Sequence, residues 1–120
     1  MKWTFVESAL FEKLRERYFQ GDNAFRLFQN ELMKNPEKGL PIPNGGGIRK
    51  IYWADTKSNK GKQTGIRIIY LQIPEAREIA LLYIYGKGAK LNLRQDEIAY
   101  LSDIARNIKK AANQRRRGEA

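Results

Sequence analysis

The alternation of hydrophobic and polar residues divides the chain into a short run of elements. Lys2–Val6 reads as a strand, with Trp3 and Phe5 on one face and Thr4 on the other. Ser8 is placed to cap a helix in which Phe11, Leu14 and Tyr18 recur among Glu12, Lys13, Arg15, Glu16 and Arg17. Asp22 is the next cap, and Phe25, Phe28 and Leu32 form the stripe of a second helix. The two helices make a hairpin joined near Gly21, and Asn35-Pro36 and Gly39 end the second. Pro41–Gly47 reads as a loop closing in three glycines. Ile48–Ala54 is a strand, and polar, lysine-rich Asp55–Thr64 is a mobile hairpin connection. Gly65–Ile73 is a strand of branched residues, Pro74–Arg77 a turn, and Glu78–Tyr85 an apolar strand fit for the centre of a sheet. After a glycine and lysine loop at Gly86–Leu91, Ile98, Leu101, Ile104 and Ile108 share one helical face; Asn92 is the preferred cap and Ser102 the alternative. The order is strand, two helices, three strands, helix. It predicts an α+β domain with a mostly antiparallel sheet over residues 1–113, and a basic, disordered tail at 114–120.

With 120 residues, the chain fits one compact domain, and a 42% hydrophobic content is enough for a core. The net charge of +10 alters the picture. Such an excess attracts polyanions, because each cation that neutralises a phosphate releases a counterion. Nucleic acid, an anionic membrane and an acidic protein all satisfy it. Without cysteine or histidine, the chain has no disulfide, no thiolate or histidine-ligated metal site and no histidine general base. No stretch is long and apolar enough to span a bilayer, and Met1–Val6 runs into charged residues. A cytoplasmic protein with no membrane partner is the default expectation.

The cations are unevenly placed. Arg49, Lys50, Lys57, Lys60, Lys62, Arg67, Lys87, Lys90 and Arg94 fall in the strand-and-loop half, where Asp55, Glu75 and Glu78 are the sparse acids. If the later strands are neighbours, these cations form one concave positive surface; otherwise they are a solvated face. Tyr52, Trp53, Tyr70, Tyr83 and Tyr85 interleave with them, either to stack unpaired bases or to pack the core. Tyr83 and Tyr85 share a face opposite Ile84. Arg67 lies in the strand Gly65-Ile66-Arg67-Ile68-Ile69-Tyr70, where a buried guanidinium needs a partner. That partner is either a carboxylate, Glu31 or Asp55, or a bound phosphate that its planar fork grips through two oxygens. There is no P-loop and no nucleophile elbow, and the three glycines at 45–47 lack the spacing of a phosphate fingerprint. Arg, Lys and Tyr suit metal-free chemistry on RNA, whose 2′-hydroxyl is an internal nucleophile.

Together the segments KWTFVESALFEKLRERY, FRLFQNELMKNPEKG, GGGIRKIYWAD, GIRIIYLQ and LLYIYGKGAK resemble HigB-type toxins of the RelE/ParE superfamily over roughly residues 2 to 110. The resemblance implies a RelE-like, microbial ribonuclease-type fold with two N-terminal helices on the sheet and a C-terminal helix. It implies a type II toxin that cuts mRNA in the ribosomal A site without metal or cofactor. The implied partners are the ribosome, mRNA and a helix-turn-helix antitoxin of the HigA type, with operator DNA reached only through the antitoxin. By resemblance, Lys50 contacts the scissile backbone, Arg67 stabilises the phosphate and Lys87 supplies a further cation. Arg49, Lys57, Lys60, Lys62, Lys90 and Arg94 complete the RNA surface. The family's C-terminal tyrosine is missing from Leu91–Glu97, and Gly88 stands where an arginine is usual. Tyr85, Tyr70 and Lys90 are the candidates for proton transfer, with Tyr85 included in the catalytic set. The alternative is a ParE-like toxin that inhibits DNA gyrase without cutting nucleic acid, and a third class is a plain RNA-binding protein.

Overall fold

The computed structural model describes residues 2–53, 65–86, 88, 90 and 92–118. The elements are β1 (Thr4–Glu7), α1 (Ala9–Tyr18), α2 (Gly21–Lys34), β2 (Leu40–Pro41), β3 (Arg49–Trp53), β4 (Ile66–Ile73), a 3-10 turn at Pro74–Ala76, β5 (Glu78–Gly86) and α3 (Gln95–Gly118). The sheet order is β1-β5-β4-β3-β2. Only the β1–β5 pair is parallel; the other three pairs are antiparallel. The expected α+β class with a mostly antiparallel sheet is the observed one.

Each face of the sheet has its own core. Phe11 of α1 and Phe25, Phe28 and Leu32 of α2 pack on Ile51, Ile66, Ile68, Tyr70, Ile79 and Leu81. The Phe25 ring lies 5.2 Å from Phe19 and 6.4 Å from Phe28, so the helical hairpin is joined by its own aromatic cluster. Emptying the fully buried Phe28 position with alanine would cost about 3–5 kcal/mol. On the opposite face Leu101, Ala105 and Ala112 of α3 cover Ile69, Leu71, Ile73 and Ala80.

The register of β4 and β5 shifts once. Ile69 pairs with Tyr83 and Tyr70 with Leu81, so Leu82 is left without a residue opposite. Ser8 uses this irregularity. Its Oγ accepts from Phe11 N at 3.0 Å, capping α1 as expected, and donates to Leu82 O at 2.7 Å. One buried hydroxyl thereby fixes the start of α1 to the central strand.

Several boundaries differ from those expected. Strand β1 runs Thr4–Glu7 rather than Lys2–Val6. Asp22 does not cap α2: the helix starts at Gly21 (φ 82°), with Gln20 before it making no side-chain cap, and Asp22 falls in the first turn. There it complements the helix dipole. Pro41, expected to open a loop, instead pairs with Arg49 in the short β2, whose Leu40 pairs with Lys50. Asn92 does not cap α3 either. Arg94 holds that position, its carbonyl accepting from Ile98 N, while Glu97 reaches back to the Arg94 amide at 2.8 Å. Finally, α3 continues through Gln114–Gly118, which composition had marked as a disordered tail. Arg115 donates to both Glu78 oxygens, at 3.0 and 3.1 Å, and ties that last stretch to β5.

Candidate functional site

Strand alternation decides which cations meet. On β3, Lys50 and Tyr52 lie on the α3 side of the sheet, while Ile51 and Trp53 face α1 and α2. On β4, Arg67 and Ile69 lie on the α3 side. Register then aligns Tyr52 with Arg67 and Arg67 with Tyr85, and in the next row Lys50 with Ile69 and Ile69 with Tyr83. The buried residues of α3 gather with Ile69, Leu71, Ile73, Ala80, Leu82 and Tyr85, so Tyr85 closes that core while Lys50, Tyr52 and Arg67 lie at its edge.

The geometry there is a layer of cations over rings. The Arg67 guanidinium carbon lies 4.8 Å from the Tyr52 ring centre, and Lys50 Nζ lies 5.5 Å from the same ring. Tyr52 is 54% exposed. Tyr83 and Tyr85 stack at 5.5 Å, and Lys90 Nζ lies 5.4 and 5.9 Å above them. Arg67 donates from Nη1 to Gly65 O at 2.9 Å, but its buried Nε has no partner among the described residues. The Tyr85 hydroxyl is likewise buried and unpartnered among them. Burial pushes the Tyr85 phenol up, and the nearby Arg67 charge only partly offsets this. A buried donor without a partner costs about 1–3 kcal/mol, so two of them side by side mark a place the fold does not optimise for itself.

Of the two carboxylates proposed for Arg67, Glu31 instead pairs with Lys34 at 3.0 Å, and Asp55 lies outside the described residues. The phosphate alternative retains an open Nε.

The other candidates separate clearly. Arg49 lies on the opposite face from Lys50 and donates to the carbonyls of Glu37 and Gly39, at 3.2 and 2.8 Å, bracing the chain after α2. Tyr70, weighed for proton transfer, also faces α1 and α2. Its hydroxyl donates to Pro36 O at 2.7 Å and accepts from Gly39 N at 2.9 Å, and burial holds its phenol above the usual range. It is a structural corner. Trp53 packs edge-on against Phe28 at 5.3 Å and belongs to the core. Arg94 is exposed and paired with Asp96 at 3.0 Å. Lys57, Lys60, Lys62 and Lys87 lie outside the described residues.

Glu97 is the residue that sequence reasoning missed. Its Oε2 pairs with Lys90 Nζ, and its Oε1 holds the Arg94 amide. These donors hold the Glu97 carboxyl below the usual range, and the pair raises Lys90. A glutamate three residues into a helix is a capping signal, but its link to Lys90 depends on the path of the intervening chain. Among the described residues, no group of three His, Cys, Asp or Glu could hold a metal ion, and no helix is long and apolar enough to cross a membrane.

No family model matches the chain. Among solved structures it is similar to a mutant of the E. coli toxin RelE in the free state, at 15% sequence identity and a TM-score of 0.47. The match covers 75% of this chain and 88% of that one.

Proposed function

We propose that the protein is a HigB-type toxin of the RelE superfamily: a ribosome-dependent endoribonuclease that cuts mRNA in the ribosomal A site and stops translation. The observation that carries this reading is the row Tyr52–Arg67–Tyr85 beside Lys50. It offers two cations beside a buried phenol that has no partner among the described residues. The sequence resemblance to the family supports it independently. A phosphodiester laid across the row meets Lys50 and Arg67 at its non-bridging oxygens, where their positive charge stabilises the dianionic transition state. The adjacent 2′-oxygen attacks phosphorus, the bond to the 5′-oxygen breaks, and the products are a cyclic phosphate and a 5′-hydroxyl. Tyr85 suits the donor of the proton that the 5′-oxygen takes up, because a phenol is protonated at neutral pH, and burial shifts this one further up.

A base for the 2′-hydroxyl is harder to find in the chain. Glu97, which is linked to Tyr85 only through Lys90, is occupied by Lys90 and the Arg94 amide. This supports dependence on the ribosome, which positions the mRNA and completes the site. The partner set is the ribosome, mRNA and a helix-turn-helix antitoxin that neutralises the toxin and carries it to operator DNA. The test is purified protein with mRNA, with and without ribosomes, in excess chelator. Cutting only on ribosomes and undiminished by chelator is expected. Efficient cutting of free RNA, or no cutting with DNA damage on expression, would replace this reading; the latter outcome is the gyrase-directed alternative.

A further inference from the structure

We propose that the outward face of the second half of α3 is a separate docking surface for the phosphate backbone of structured RNA. This does not rest on the cleavage reading and concerns residues far from the row. Glu97 and Lys110 are thirteen residues apart on one helix, about 20 Å at 1.5 Å per residue.

The helix buries one side against the sheet through Leu101, Ala105 and Ala112. Arg106, Lys110 and Arg117, at spacings of four and seven, lie on the side directly away from it, and all three are exposed. They span about 16 Å along the helix. Lys109 and Arg116 lie to one side of this line, where the helix turns towards Glu75. From Arg106 to Gly118 the helix has no acidic residue. Nearby acids answer only part of the charge: Asp103 pairs with Arg106, Glu75 lies 4.0 Å from Lys109, and Glu78 holds Arg115. Lys110 and Arg117 have no partner among the described residues, and Arg116 is linked to Glu75 only through its field.

Three features select RNA over the other polyanions. The line is arginine-rich, and guanidinium forks grip phosphate oxygens in pairs. It is straight and rigid, as a duplex edge requires. The apolar side of α3 is spent on the core, so the helix has none left to insert into a membrane surface. Structured RNA also gathers many phosphates within a span of this size, which favours multi-contact binding.

The test uses the full chain and a fluorescent ribosomal RNA hairpin made of 2′-O-methyl nucleotides, which cannot be cut through a 2′-hydroxyl. Binding is measured against salt for the triple variant Arg106→Gln/Lys110→Gln/Arg117→Gln. A second triple, Lys13→Gln/Arg17→Gln/Arg26→Gln, removes the same charge from exposed positions on α1 and α2. The α3 triple should bind at least about tenfold more weakly, with a salt slope shallower by roughly two. The α1/α2 triple should lose less than about twofold. Swapping the same α3 positions to Arg106→Lys/Lys110→Arg/Arg117→Lys keeps the charge and should keep the slope, which separates lost contacts from a frayed helix. Equal losses in the two glutamine triples would reduce the effect to net charge and overturn the proposal. So would an α3 triple with unchanged RNA affinity, whether or not it loses affinity for phosphatidylglycerol vesicles or an acidic protein.

Discussion

Tyr70 and Tyr85 are both buried, at 0% and 1% exposure, and both phenols are held above their ordinary range by burial. Their surroundings differ. On the face covered by α1 and α2, the Tyr70 hydroxyl donates to Pro36 and accepts from Gly39, and nothing about it is left open. On the other face the Tyr85 hydroxyl and the neighbouring Arg67 Nε have no partner among the described residues. A fold that satisfies one buried tyrosine fully and leaves another without a partner among the described residues, beside a cation, sets the second apart as the candidate for function. Burial alone would have ranked the two alike.

The largest effect that would break this contrast is at Arg67. Arg67→Ala should lower cleavage of ribosome-bound mRNA by a hundredfold or more, because stabilising the charged transition state is worth several kcal/mol. The variant should remain folded by circular dichroism, since the removed guanidinium donates to the Gly65 carbonyl and its Nε has no partner among the described residues. Full activity in a folded variant would remove Arg67 from the mechanism. Lys50→Ala should fall by about tenfold or more in the same assay, while Arg49→Ala, on the opposite face, should lower stability rather than the turnover of folded protein. Next comes Tyr70→Phe, which orphans the buried Gly39 N–H and should cost about 1–3 kcal/mol, read as a lower denaturation midpoint.

The smallest effect sharpens the contrast through pH. Glu97 has a lowered folded pKa, so its contribution to stability is full above its unfolded value and is lost as pH falls through the folded one. Glu97→Gln should flatten the acid side of the curve of melting temperature against pH, below the ordinary glutamate range. An unchanged acid limb would mean that its pairing with Lys90 carries no stability.

Much of this was legible in the chain. Apart from the two-residue β2, helix and strand order followed from apolar spacing, and the Ser8 cap from its position. Arg67 stood out because a cation inside Gly65–Tyr70 needs an explanation. Parity also held a signal that charge counting passed over: Arg49 and Lys50 are consecutive in a strand and must face opposite sides. The same parity sets Tyr70 apart from Arg67. What could not be read is the alignment of Tyr85 with Arg67. It depends on the register of β4 and β5, which the irregularity at Leu82 shifts, and register is a property of the paired strands. The link from Glu97 to Lys90 is hidden for a similar reason, since the seven-residue separation spans a loop and a helix start.

The most direct test is a paired measurement on Tyr85→Phe and Tyr70→Phe, taking the single-turnover cleavage rate on programmed ribosomes and the melting temperature from the same preparations. Tyr85→Phe should lose about tenfold or more in rate and keep or raise its melting temperature, since it removes a buried hydroxyl that has no partner among the described residues. Tyr70→Phe should keep the rate per folded molecule and melt lower. A Tyr85→Phe protein with full rate, or one destabilised as much as Tyr70→Phe, would contradict the assignment of the bare tyrosine to function.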